Sequence, residues 1–183
     1  MDLGGCLDLV TVTVYVLLIT AVLLWARWSN LDLALRPPLF KSAWPWIMLF
    51  VAWRAAEQII SLLGLGVVGM EYPPEAATAL FAHILKTGFF APLFEEILFR
   101  GAMFSAFARR WGILSALVVP NILWAGVHLQ YEEPLLFLWI AVMGILLSII
   151  RFKSGSLYLP LSLHGAHNLA AALTNHQSLS LAW

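Results

Sequence analysis

Phe94-Glu95-Glu96-Ile97-Leu98-Phe99-Arg100-Gly101 sets three ionisable side chains into an apolar stretch of an apolar chain. Charge at bilayer depth is costly, so such residues mark a functional site unless they only neutralise one another. Adjacent helical residues point about 100° apart, so Glu95 and Glu96 cannot share a face. Glu96 and Arg100 are four apart with the glutamate N-terminal, the better order for a helical ion pair. The spacing predicts a Glu96–Arg100 brace. It leaves Glu95 without a partner on its own helix, as the carboxylate free for chemistry. The competing reading is charge balance for packing alone.

Working outward, the chain has 183 residues, which fits one domain. It is 62% hydrophobic and 11% charged, where soluble domains average about 25% charged residues. With a mean hydropathy of +0.88, the composition points to an integral membrane protein of the all-α class, a polytopic transmembrane helical bundle. Formal net charge is zero, so composition gives no case for nucleic-acid binding. The single cysteine, Cys6, allows no internal disulfide and no cysteine-based metal cluster. Leu3-Gly4-Gly5-Cys6 faintly resembles a lipidation box, but it is read as an unmodified thiol because no charged and apolar leader precedes it. Trp25, Trp28, Trp44 and Trp111 lie near span ends, as an interfacial aromatic belt requires.

Six spans are expected, within about 9–25, 43–65, 76–110, 112–130, 135–150 and 157–173. The whole of 1–183 reads as one membrane domain, with N-terminal spans in about 9–65 and a motif-bearing core in about 76–174. Arg54 and Glu57 are three apart and predict a neutralising pair. The segment 76–110 would rise roughly 52 Å as one helix, against a hydrocarbon core of about 30 Å. Pro92 lacks a backbone donor, so a kink or break is expected there, with Glu95 in the first turn of a fresh helix. His83 and Lys86 are expected to face an interface or a polar cavity. Gly64–Glu75 and Tyr131–Pro134 read as turns carrying acids. Basic residues fall in alternate loops: Arg27, Arg36 and Lys41, then Arg109 and Arg110, then Arg151 and Lys153. The positive-inside rule then puts both termini outside, provided 76–110 crosses once.

Glu95, His128, His164 and Asn168 are polar groups in three different apolar spans. His164 and Asn168, four apart, share a helical face, whereas His167 points about 100° away from Asn168. A carboxylate and an imidazole can deprotonate a water, and further donors can hold an oxyanion. Three motifs stand in order: Glu95-Glu96-x-x-x-Arg100, Trp124-Ala125-Gly126-Val127-His128, and His164-Gly165-Ala166-His167-Asn168. Together they resemble the CAAX protease and bacteriocin-processing family of glutamic intramembrane proteases, which includes the type II CAAX prenyl endopeptidases. The resemblance covers about 92–173. The second motif usually begins with Phe, and here Trp124 enlarges that aromatic wall.

The resemblance implies a peptide hydrolase with no covalent acyl-enzyme and no cofactor. Glu95 and His128 would activate water, His164 and Asn168 would hold the oxyanion, and Glu96, Arg100 and Trp124 would support the site. It also implies a multi-pass protein of a bacterial or archaeal cell membrane, whose partners are the bilayer and a membrane-anchored or lipidated protein or peptide substrate. With both termini outside, His128 and Asn168 fall nearer the outer face. Two rivals stand beside this reading. Glu95, His128 and His164 form a plausible zinc set, although no His-Glu-x-x-His helix is present. Alternatively the chain is a non-catalytic immunity or scaffold protein that binds partner helices.

Overall fold

The computed structural model describes residues 9–63, 84–128 and 134–180. Among these, every regular element is helical. α1 is Leu9–Trp28 and α2 is Phe40–Leu62. α3 runs continuously over 84–111. α4 is Ile113–Gly126, α5 is Pro134–Ser154 and α6 is Tyr158–Ser180. His83, Cys6, the Gly64–Glu75 turn, and Tyr131, Glu132 and Glu133 lie outside the described residues.

The bundle presents an apolar exterior: Leu17, Leu24, Trp28, Phe40, Leu114, Ile122 and Leu138 are all exposed. So many large apolar side chains on the outside suit a bilayer better than water. Val10–Trp28 and Phe137–Ser154 are long and apolar enough to cross one. α4 has 14 residues, a rise of roughly 21 Å, and falls short of a full crossing. The span expected over 112–130 is therefore shorter than its apolar run. The helix stops at Gly126, and His128 sits in the turn beyond it.

Pro92 does not break α3. The helix widens to π geometry over Lys86–Phe90, so that the Ala91 N–H reaches the Lys86 carbonyl five residues back. It returns to α geometry over Ala91–Glu95 and widens again over Glu96–Met103. The missing donor of Pro92 is absorbed by this change of pitch rather than by a chain break. Glu95 thus sits inside a continuous helix, not in a first turn with exposed amides. The N–H that follows it, that of Glu96, already bonds the carbonyls of Pro92 and Leu93. Short π stretches inside α-helices are rare and collect at functional sites.

One end of the bundle is stitched by the basic residues. In the α1–α2 linker, Asn30 and Ala34 adopt positive φ. The Asp32 carboxylate accepts from the Ala34 N–H at 2.8 Å and pairs with Arg36. The Ala34 bond first, and Arg36 after it, hold the Asp32 carboxyl below the usual carboxylate range. The Ala34 carbonyl accepts from the Leu157 N–H at 2.8 Å, and the Leu39 N–H donates to the Ser154 carbonyl at 2.9 Å. Arg109 donates to the Ser29 carbonyl at 2.8 Å. Arg151 is a staple rather than a free loop anchor. It donates to the Arg100 carbonyl at 2.9 Å, the Asp32 carbonyl at 3.1 Å and the Ser105 hydroxyl at 2.8 Å.

The apolar core joins Phe50 of α2, Phe99 of α3, Trp124 of α4, and Met143, Leu146, Leu147 and Ile150 of α5. Gly144 of α5 lets this core close. A Cβ there would lie 2.7 Å from Asn121 Oδ1 and 2.8 Å from Trp124 Cε3, so any side chain would push α5 off α4.

Candidate active site

The brace read from sequence is present. Arg100 Nη1 donates to Glu96 Oε1 at 3.0 Å, and both side chains are fully buried. Arg100 is held from three further sides. Nη2 donates to Asn121 Oδ1 at 3.2 Å, the guanidinium lies 4.1 Å over the Trp124 ring, and its own carbonyl accepts from Arg151. Asn121 is fixed in turn, its Nδ2 donating to the Leu117 carbonyl at 2.6 Å and to Ser148 Oγ at 3.0 Å. A buried charge is tolerated only when paired and hydrogen-bonded, and this network across α3, α4 and α5 engages both terminal nitrogens of Arg100, leaving Nε without a hydrogen-bond partner among the described residues. Asn121 and Ser148 took no role in the sequence reading. The available signal was a buried-type amide beside Pro120 in an otherwise apolar run.

His164 of α6 joins the same centre. Its Nδ1 is 2.9 Å from Glu96 Oε1. A carboxylate accepts, so Nδ1 carries a proton and donates. This orients the ring and turns Nε2 toward Glu95, with His164 Nε2 3.9 Å from Glu95 Oε2. Glu95 has no partner on its own helix, as its spacing implied. Across the bundle its Oε2 accepts from Trp124 Nε1 at 2.6 Å. His128 packs against that indole edge-on, with ring centroids 5.0 Å apart. Its Nδ1 is 2.7 Å from the Trp124 carbonyl. The carbonyl can only accept, so the proton sits on Nδ1 and the lone pair on Nε2. His164 also meets the indole edge-on, with centroids 5.6 Å apart. Trp124 is thus where Glu95, His128 and His164 converge.

Asn168 lies one turn beyond His164. Its Nδ2 donates to the Thr87 carbonyl at 2.9 Å. Thr87 is five residues before Pro92, where an N–H at Pro92 would have pointed in the π stretch. Asn168 thus compensates for the donor that Pro92 lacks and retains one further amide hydrogen. Gly165 makes this approach possible, since a Cβ there would lie 2.9 Å from the Gly88 carbonyl. His167 diverges, as its spacing required. It stacks on Trp53 of α2, with centroids 5.6 Å apart, and its Nδ1 is 4.0 Å from Glu57. Glu57 itself pairs with Arg54 at 2.6 Å. Among the described residues, no three His, Cys, Asp or Glu side chains are gathered where they could share a metal ion.

An apolar-surfaced helical bundle with a charged centre sealed among its helices is an integral membrane protein of helical type. Residues 77–170 match the family model for type II CAAX prenyl endopeptidase Rce1-like proteins. That match covers just over half of the chain, and the chain belongs to this family. It is also 30% identical to an uncharacterized 24.3 kDa protein of Escherichia coli, over 62% of this chain and 59% of that protein. The chain thus spans less than two thirds of that relative's length. No solved structure matches.

Proposed function

We propose that the protein is an intramembrane endopeptidase that hydrolyses a peptide bond of a membrane-anchored or lipidated substrate with a water molecule activated by Glu95. The observation that carries this is the pairing of Glu95 Oε2 with His164 Nε2 at 3.9 Å. That separation is too long for a direct hydrogen bond and close to what one water spans between two polar atoms. Glu95 takes a proton from the water, and the oxygen bonds to the substrate carbonyl carbon. The lone pair on His128 Nε2 suits it to share the proton. The resulting oxyanion faces His164, which in its charged form donates from Nε2, and the remaining amide hydrogen of Asn168. Collapse breaks the C–N bond, and the proton held by Glu95 passes to the leaving amine. Glu96 and Arg100 support the geometry, as does Trp124.

The same reading includes six passes of the chain, the fourth made by the short α4 and the residues that follow it, with both termini outside. Meeting of Arg36, Arg109 and Arg151 at one end of the bundle supports it. Asn168 bonds Thr87 near the other end of α3, which supports a site that opens outward. Single cysteines introduced at Arg109 and at Glu132 test this in intact cells. A membrane-impermeant thiol reagent is expected to label the Glu132 position and spare the Arg109 position. The reverse pattern inverts the topology and turns the site to the cytoplasmic face.

The activity itself is tested with purified protein in proteoliposomes. A membrane-anchored peptide, with and without a prenyl group, is expected to yield new N- and C-terminal fragments by mass spectrometry. Intact peptide in both arms, at protein concentrations equal to substrate, would sink the proposal.

A further inference from the structure

Trp124 is buried, and its indole is anchored on two sides: over the Arg100 guanidinium and on the Glu95 carboxylate. The bond to Glu95, at 2.6 Å, is a short one for a nitrogen donor. An indole N–H only donates, and a carboxylate only accepts. The bond therefore runs one way, from the indole to the carboxylate. Phenylalanine, the residue usual at this place in the motif, has no N–H and could pack there without making the bond.

The other groups facing Glu95 do not duplicate it. On α3, Glu96 disfavours a second negative charge, while Arg100 favours one but is committed to Glu96 and Asn121. From α1, Tyr15 lies within electrostatic reach. From α6, His164 approaches at 3.9 Å, and from the turn after α4, His128 packs against the indole. α5 carries no titratable side chain before Arg151, and Arg54 and Glu57 of α2 pair with each other. Of these groups, Trp124 is the one within hydrogen-bond distance of the Glu95 carboxylate.

We infer that Trp124 is a positioning residue that, through its indole N–H, fixes the Glu95 carboxylate beside His164. This rests on the proposed role of Glu95, but its test does not need hydrolysis. In nitrogen-15 spectra of the purified protein, the Trp124 indole N–H is expected to resonate downfield of the other indoles, as a donor to a carboxylate does, and to be missing in Trp124→Phe. In Glu95→Ala the same resonance is expected to move upfield, because its acceptor is gone. Trp139→Phe removes an indole that stacks on Trp53 instead, and is expected to leave that resonance in place. A Trp124 indole resonance at the same position in wild type and Glu95→Ala would overturn the inference.

If the chain hydrolyses peptides, Trp124→Phe is expected to lower kcat by about tenfold with little change in KM, the pattern of a lost positioning contact. If it does not, the indole shift still stands, so the two proposals fail separately. Should Trp124→Phe not fold, the comparison of wild type with Glu95→Ala decides the matter by itself.

Discussion

Glu95→Gln is expected to fold, enter the membrane and lower kcat for peptide hydrolysis by about a thousandfold. Positioned general bases contribute on the order of 10²–10⁴ in rate, and this site offers its water no second carboxylate. Glu96 is fully buried and already engaged by Arg100 and His164. The substitution keeps the shape of Glu95 and an oxygen for the Trp124 N–H, but it removes the ability to accept a proton. Melting temperature in detergent should stay within a few degrees of wild type, because Glu95 is partly exposed and is not part of the ion-paired core. KM should change little if Glu95 acts on the water rather than on the substrate. A rate within tenfold of wild type would remove Glu95 from the base position. A scaffold or immunity protein would behave differently again, with partner binding surviving Glu95→Gln and no rate to lose.

That Glu96 pairs with Arg100 while Glu95 points elsewhere was legible because helical periodicity alone separates the two glutamates. Glu96 and Arg100 meet at i and i+4 whether the helix is α or slightly widened. The Arg54–Glu57 pair and the divergence of His167 from His164 follow from the same arithmetic. What periodicity could not show was the pitch of α3. A proline in a long apolar helix is compatible with a break, a kink or a π turn, and the choice depends on what satisfies the freed carbonyl. Here that group is the Asn168 amide, 81 residues away in sequence. The same limit hid the partners of Arg100 and Glu95. Asn121 and the Trp124 indole come from another helix, and only the close approach permitted at Gly144 brings α5 onto them. The length of α4 was misjudged because an apolar run is silent on where the helix within it ends.

Arg100→Ala is expected to cost about 3–5 kcal/mol of stability, the usual consequence of stripping one partner from a buried ion pair. For a chain of this size that is a fall of roughly 10 °C or more in apparent melting temperature. Three losses add in the same place. Glu96 keeps its charge with His164 as its nearest partner, and its Oε2 has no hydrogen-bond partner among the described residues. Asn121 Oδ1 loses its charged donor, and the Trp124 ring loses the cation stacked on it. Replacing both members, as Glu96→Leu with Arg100→Met, removes the stranded charge and fills much of the space. Exchanging a whole buried pair for apolar side chains is often neutral, so the double variant should melt well above Arg100→Ala. It should nevertheless hydrolyse nothing, because His164 Nδ1 has lost the acceptor that turns Nε2 toward Glu95. Thermal melts of the three proteins in detergent check the first part, and peptide cleavage the second. An Arg100→Ala protein that melts within about 2 °C of wild type would mean that this network does not hold the bundle together. An active double variant would mean that Glu96 does not orient His164.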